Sequence, residues 1–262
     1  MTRAIELERA TVFRGSEEVL HSLSLCLETG EHACILGPNG SGKSTLVKLI
    51  SGDLSPLYRE PPAIRLFGME RWNLFDLRSR LGIVSDSLQV AQSGSDSALD
   101  TILSGFFGGV GLPLRAKASV EMIEKARATA ALLGVGHILH KEADELSSGE
   151  MRRILVARAL VHDPEMLLLD EPYNSLDVAA RLSFESTLGA LSDRGHSIVL
   201  VTHELSEIPD GIGRIILMKE GRIFADGPKA EVLRGETVSD LFGIALRVAV
   251  REGRYHAEAL RG

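Results

Sequence analysis

The sequence predicts an α/β fold with a mixed, mostly parallel core sheet and an N-terminal antiparallel β region. Three short apolar runs predict buried strands of the parallel sheet, at residues 33–36, 166–169 and 197–201. Each run is bounded by polar residues or glycine and is followed by residues that can carry chemistry, as expected where parallel strands present a site at their carboxyl ends. Alternating apolar residues between Ile5 and Leu27 predict the half-exposed strands of the antiparallel region.

An inserted helical subdomain is predicted over about residues 87–160. The strand pattern fades after Ser87, and apolar residues then recur at helical spacing between Val120 and Leu133. This stripe is typical of a helix face that packs into a core. We therefore expect the subdomain to interrupt one larger domain that covers residues 1–240.

Residues 241–262 are expected to form a short C-terminal extension. Apolar residues and a glycine within residues 247–255 follow the pattern of short strands joined by a turn, and residues 222–224 predict another short strand before them.

The composition is that of a globular protein with one large domain or one domain that carries an insertion. The chain has 262 residues, of which 44% are hydrophobic and 25% are charged; these proportions exclude disordered, collagen-like and disulfide-stapled chains. Its formal net charge is −7 and it has no long basic block. Nucleic acid is therefore not an expected partner.

The sequence indicates a cytoplasmic protein without a membrane span of its own. Its longest uncharged stretch, between Asp100 and Arg115, has 14 residues, fewer than the roughly 18 that cross a bilayer. The first residues lack the apolar segment of a secretory signal, so export is not expected. Cys26 and Cys34 are the only thiols and have no zinc-site spacing, which favours a reducing compartment and two small core side chains.

Residues 37–45 match the phosphate-binding pattern G-x-x-x-x-G-K-[ST], after an apolar strand and before a helical run. The glycines let backbone N–H groups curl around phosphate oxygens, and the helix N-terminus adds its dipole. Lys43 is expected to reach the β and γ phosphates, and Ser44 to coordinate Mg²⁺. The alternative is a glycine-rich turn with a solvated lysine. The nine candidate nucleotide-binding residues are Gly37, Pro38, Asn39, Gly40, Ser41, Gly42, Lys43, Ser44 and Thr45.

Two acids, Asp170 and Glu171, follow the predicted strand at residues 166–169. Such a pair can place one carboxylate near a metal and the other beside an attacking water. Acids also cap strand ends without any catalytic role, so the pair alone is ambiguous. Together with the phosphate loop it predicts a hydrolytic site, in which Asp170 holds Mg²⁺ through water and Glu171 polarises the nucleophilic water.

A third motif consists of Ser147, Ser148, Gly149 and Glu150, and it precedes a helical run at residues 154–160. It gathers hydroxyl groups, a glycine backbone and the positive end of a helix at one point. Alone it could be an ordinary S-x-x-E capping box. The order of the three motifs, phosphate loop, Ser-Ser-Gly-Glu and Leu-Asp-Glu, removes this ambiguity.

Over about residues 5–235 the chain resembles the ATP-binding cassette (ABC) ATPases, which have a P-loop NTPase fold. The resemblance implies Walker A at residues 37–45, the family signature at residues 146–150, Walker B ending at Asp170 and a catalytic glutamate at Glu171. It also implies that the chain binds ATP and Mg²⁺ and hydrolyses ATP.

The resemblance implies three further site residues. Asp177 ends a Ser-Leu-Asp run that looks like the family's D-loop. His203 follows the run at residues 197–201 and looks like the switch histidine that senses the γ-phosphate. Phe13 stands where the family places an aromatic ring that stacks on adenine, with a buried core phenylalanine as the alternative.

Two departures from the family pattern concern the metal and the signature. The family usually has a glutamine where Asp86 stands here, so Asp86 is a candidate metal ligand with a shorter, charged side chain. In the signature, Ser148 replaces the commoner glycine and Glu150 the commoner glutamine. Ser147 and Gly149, the pair that approaches phosphate, remain.

The resemblance further implies that two such domains close head to tail around ATP, as a homodimer or with a related cassette. It also implies an integral membrane permease as partner, at the cytoplasmic face of the membrane.

Residues 98–114 could be the docking surface for the permease or local core. Residues 101–107 and 207–209 look most like the molybdate-type ATPase components related to photorepair proteins, so we expect import of molybdate or another metal-related solute. The alternative is a soluble ABC ATPase that acts in repair or regulation.

Overall fold

The computed structural model describes residues 2–85, 96–108 and 118–260, which form two compact units. One unit comprises Met1–Trp72 and Ser197–Gly262, and the other Asn73–His196. The strands are β1 (Arg3–Arg14), β2 (Glu17–Glu28), β3 (Ala33–Leu36), β4 (Ile64–Leu66), β5 (Leu81–Val84), β6 (Met166–Asp170), β7 (Ser197–Thr202), β8 (Arg214–Lys219), β9 (Arg222–Pro228), β10 (Leu246–Arg251) and β11 (Arg254–Ala259). The α-helices are α1 (Lys43–Ile50), α2 (Leu74–Arg80), α3 (Ala98–Ser104), α4 (Val120–Leu132), α5 (Ser148–Leu160), α6 (Val178–Asp193), α7 (Lys229–Val232) and α8 (Gly235–Phe242).

The first unit contains the predicted antiparallel region. β1 lies between β2 and β4 and pairs antiparallel with both. Along β2, Leu23, Leu25 and Leu27 are buried while the residues between them are more exposed. The sequence alternation arises because only one face of this ribbon packs on the core.

A second group of strands in the first unit lies in the order β7-β3-β8-β9. β3 pairs parallel with β7 and β8, whereas β9 pairs antiparallel with β8, so the expected mixed sheet is confirmed. All residues of β3 and β7 are buried, which explains their continuous apolar sequences. Cys34 lies in β3, and burial raises the pKa of its thiol; Cys26 in β2 is only partly buried.

In the second unit β5 and β6 pair in parallel, and α3, α4 and α5 pack on one another. Ser97 starts α3 with a complete capping box, and the Ser119 hydroxyl caps α4. The predicted stripe on α4 packs from Ala126 onward, since Ala126 and Ala130 are buried while Val120 is 68% exposed.

The last part of the first unit consists of α7, α8 and an antiparallel hairpin of β10 and β11. The hairpin turn contains Gly253, whose φ is +80°. Within the residues that the structure describes, no helix is both long enough and apolar enough to span a membrane.

Candidate active site

The phosphate loop joins β3 to α1, and its backbone path requires glycine. Gly40 and Gly42 have φ angles of +81° and +101°, which side chains rarely tolerate. A Cβ on Gly37 would lie 2.3 Å from the carbonyl oxygen of Met218. The loop is therefore held tightly against β8 and opens toward the N-terminus of α1.

The Lys43 ammonium is directed back at its own loop. It donates hydrogen bonds of 2.7 and 3.1 Å to the carbonyl oxygens of Gly37 and Pro38, and the residue is only 5% exposed. The alternative of a solvated lysine is therefore wrong. A buried cation beside backbone N–H groups at a helix N-terminus fits the oxygens of a phosphate.

The other loop residues differ in exposure. Asn39, Gly40 and Ser44 are exposed, whereas Ser41 and Thr45 are buried. The Ser41 hydroxyl is a buried oxygen without a hydrogen-bond partner among the described residues. Ser44, in the first turn of α1, leaves its hydroxyl accessible to a ligand.

Phe13 lies near the end of β1, opposite Glu18 of β2. It is 43% exposed, so the alternative of a core phenylalanine is wrong. An exposed ring on a strand can take a flat aromatic base against its face.

His203 directly follows β7 in a short loop that a buried hydrogen bond closes. The Thr202 hydroxyl donates to the Glu207 carboxylate and accepts a bond of 3.1 Å from the Glu204 N–H. The His203 ring is half-buried, with Nε2 3.9 Å from the Glu204 carboxylate. Glu207, which the sequence pattern indicated only as part of the subgroup resemblance at residues 207–209, is 6% exposed and closes this loop.

In the second unit, β6 ends with Asp170, and Glu171 follows in an uncommon backbone conformation. The φ of Glu171 is +48°, a region in which a residue with a side chain is strained and which is often found at functional sites. The Asn174 side-chain amide donates a 3.0 Å hydrogen bond to Glu171 Oε2. Sequence reasoning missed Asn174.

The signature residues begin α5, and the S-x-x-E capping box is present. The Ser147 hydroxyl accepts from the Glu150 N–H and donates to the Glu150 carboxylate, which also accepts from the Ser147 N–H. Hydrogen bonds from the Ser147 N–H and hydroxyl lower the pKa of Glu150. A Cβ on Gly149 would lie 3.0 Å from the Cβ of Ala180, and Ser148 lies half-buried in the first turn. The cap therefore fixes the N-terminal end of α5.

Asp177 caps α6, because its carboxylate accepts a 2.7 Å hydrogen bond from the Ala180 N–H. Asp86 lies outside the described residues, as do residues 109–114 of the expected docking segment. In the described part of that segment, Ile102 and Leu103 are buried, as in local core.

The fold and the glycine-rich loop define a P-loop nucleotide-binding domain. A family model described as "ABC transporter" matches residues 20–174, more than half of the chain. The chain belongs to the ABC transporter family, and it is an ATP-binding ATPase of that family.

Several similar proteins are named as ATP-binding components of transport systems. The manganese transport system ATP-binding protein MntB of Bacillus subtilis (strain 168) is 33% identical over 91% of this chain and 92% of its own length. The zinc transport system ATP-binding protein TroB of Treponema pallidum (strain Nichols) is 31% identical over 98% of this chain and 97% of its own length. The solved structure of an ABC transporter in an inward-facing conformation has a TM-score of 0.79 at 23% identity, and the match covers 99% of this chain and 98% of that chain, which shows the shared fold.

These comparisons support transport over the soluble alternative in repair or regulation. Other relatives are named for the import of hemin and phosphonates. The relatives therefore do not single out the molybdate-type components that the sequence pattern suggested.

Proposed function

We propose that this chain is the ATP-hydrolysing subunit of an importer and drives a separate membrane permease at the cytoplasmic face of the membrane. The observation that carries the proposal is the phosphate loop with its buried Lys43, in a chain that aligns over nearly its whole length with ATP-binding proteins of transport systems. The permease would supply the membrane-spanning part.

Each candidate residue has a defined task in hydrolysis. The loop N–H groups and Lys43 bind the phosphates, and Phe13 stacks on adenine. Glu171 accepts a proton from the water whose oxygen bonds to the γ-phosphorus, while the bond from that phosphorus to the β–γ bridging oxygen breaks, giving ADP and phosphate. His203 contacts the γ-phosphate.

The candidate metal ligands suit Mg²⁺, because Ser44 and Asp170 offer hydroxyl and carboxylate oxygens. Mg²⁺ would neutralise charge on the phosphates. Ser44 would hold it directly and Asp170 through water. Asp86 remains a further candidate ligand.

The signature of a second copy would complete each nucleotide site in a head-to-tail homodimer. The Ser147 hydroxyl donates to Glu150 in this structure, and a phosphate oxygen could accept that hydrogen bond instead. Gly149 lets the backbone approach, and the positive end of α5 favours the anion. Ser148, Glu150 and Asp177 would lie beside the same interface. ATP would thus join the two copies, and hydrolysis would release them.

We also propose a metal ion or metal chelate as the transported solute. The names of the manganese and zinc transport relatives support this class. Molybdate remains one hypothesis within the broader set of metal-related solutes.

Two experiments test the proposal. The tagged chain should co-purify from membranes with a multi-span permease; recovery without any membrane protein would contradict the transport role.

Glu171→Gln should bind ATP and accumulate as a dimer in size-exclusion chromatography, while Lys43→Ala should stay monomeric. A Glu171→Gln variant that hydrolyses ATP at the parent rate would contradict the role of Glu171.

A further inference from the structure

The β10–β11 hairpin packs on residues 205–210, the segment that follows the candidate switch residue His203. β11 lies against the 3₁₀ turn Leu205–Glu207. A guanidinium nitrogen of Arg254 lies 3.5 Å from the carbonyl oxygen of Ser206. At the hairpin turn, a Cβ on Gly253 would lie 2.9 Å from a carboxylate oxygen of Asp210. The turn end of the hairpin therefore contacts the segment both near its start, at Ser206, and at its last residue, Asp210.

Lys229 links the hairpin to the same segment. Its ammonium donates a 3.0 Å hydrogen bond to the carbonyl oxygen of Pro209 and lies 5.2 Å from the centre of the Tyr255 ring. Burial lowers the pKa of Lys229, and the charge of Asp210 opposes this shift. The cation is thus held between the Tyr255 ring and the segment by hydrogen-bonding and electrostatic contacts.

The segment can pass a displacement on to His203 because the connecting loop is short and closed. The hydrogen bond between Thr202 and Glu207 spans the loop, and both residues are buried. Leu205 and Ile208 are also buried, so the segment packs as a unit. A shift of this unit would change the backbone that carries the His203 ring.

We propose that the β10–β11 hairpin braces residues 205–210 and thereby sets the position of His203, with Tyr255 as a positioning residue. This inference rests on the proposed function, because His203 is assigned there to the γ-phosphate. It gives the C-terminal hairpin a part in the response to ATP.

The test compares Tyr255→Leu with Tyr255→Phe in the full chain. Leucine removes the ring face, whereas phenylalanine keeps it. Hydrogen–deuterium exchange should be about threefold faster at the N–H groups of Glu207 and Ile208 in Tyr255→Leu, and should match the parent in Tyr255→Phe. Arg247→Ala is the matched control, because this side chain is 65% exposed and pairs with Glu258 within the hairpin. It should leave exchange in the segment unchanged.

Hydrolysis provides the second measurement. Tyr255→Leu should lower kcat about threefold with the KM for ATP unchanged. In a His203→Ala background the same substitution should cause no further loss, measured by single-turnover hydrolysis. A purely structural role would predict the same loss in both backgrounds.

Three results would overturn the inference. They are unchanged exchange at residues 207 and 208 in Tyr255→Leu, faster exchange with an unchanged kcat, and an equal loss of kcat with and without His203. Failure of the proposed function would give a different result, because the parent chain would then show no ATP hydrolysis that depends on Glu171. The exchange measurement would still report on the brace in that case.

Discussion

The side-chain amide of Asn174 donates a hydrogen bond of 3.0 Å to the carboxylate of Glu171. The backbone N–H of Asn174 also donates to the carbonyl oxygen of Glu171, at 3.2 Å. The turn therefore fixes where the amide lies, and the amide orients the carboxylate. A hydrogen bond to an ionised acceptor is stronger than one between neutral groups.

Asn174→Ala should lower kcat for ATP hydrolysis about tenfold, because the proton acceptor loses its orientation. The KM for ATP should stay unchanged, since the amide donates to the carboxylate and is not assigned a contact with the nucleotide. Steady-state phosphate release measures both constants.

Asn174→Asp is the sharper comparison, because it keeps the shape, removes the donor and adds a like charge near Glu171. Its kcat should fall below that of Asn174→Ala. A kcat equal to the parent value in Asn174→Asp would refute the orienting role.

Lys43→Ala should weaken ATP binding about a hundredfold, equivalent to about 3 kcal/mol. In this structure the Lys43 ammonium contacts the carbonyl oxygens of Gly37 and Pro38. When ATP is bound, we expect the ammonium to bind phosphate oxygens, and alanine cannot make these contacts. Lys48→Ala, at an exposed position of the same helix, is the control and should bind normally. Titration with a fluorescent ATP analogue measures both, and equal affinities for the two variants would refute the role of Lys43.

Phe13→Ala should weaken ATP binding about fivefold, as expected for the loss of one aromatic stacking contact. The binding of inorganic triphosphate, which has no base, should not change. Phe13→Tyr keeps the ring and should bind ATP as the parent does. An equal loss of affinity for ATP and triphosphate would indicate a disturbed loop instead of lost stacking.

The parts of the fold that sequence reasoning predicted best are those set by local rules. The strands β3 and β7 are buried throughout, so their apolar runs were visible without knowledge of neighbours. The S-x-x-E pattern at Ser147 likewise needs only four adjacent residues to form its cap.

Other features depend on contacts that spacing does not encode. β1 changes register against β2 between Val12 and Phe13, so alternation could not tell which face Phe13 takes. The amide of Asn174 has several possible partners in a turn, and only the folded backbone selects Glu171. The contacts of Lys229 with Pro209 and with the Tyr255 ring join residues far apart in the chain.

The capping box at the start of α5 makes a pH-dependent contribution to stability. The Glu150 carboxylate accepts hydrogen bonds from the N–H and hydroxyl of Ser147, at 2.9 and 2.7 Å, and these bonds lower its pKa in the folded protein. A carboxyl whose pKa is lower in the folded state stabilises the fold above its unfolded pKa, about 4.3. This contribution is lost as the pH falls through the folded value.

Glu150→Gln keeps an acceptor for Ser147 and removes the titration. The parent should therefore have the higher thermal midpoint near pH 6, and its advantage should shrink as the pH is lowered to about 3. Ser147→Ala removes the cap itself and should cost about 1 kcal/mol at neutral pH, a few degrees in Tm. Thermal unfolding followed by circular dichroism across this range measures all three proteins. A gap between parent and Glu150→Gln that is the same at pH 3 and pH 6 would show that the charge of Glu150 does not stabilise the helix.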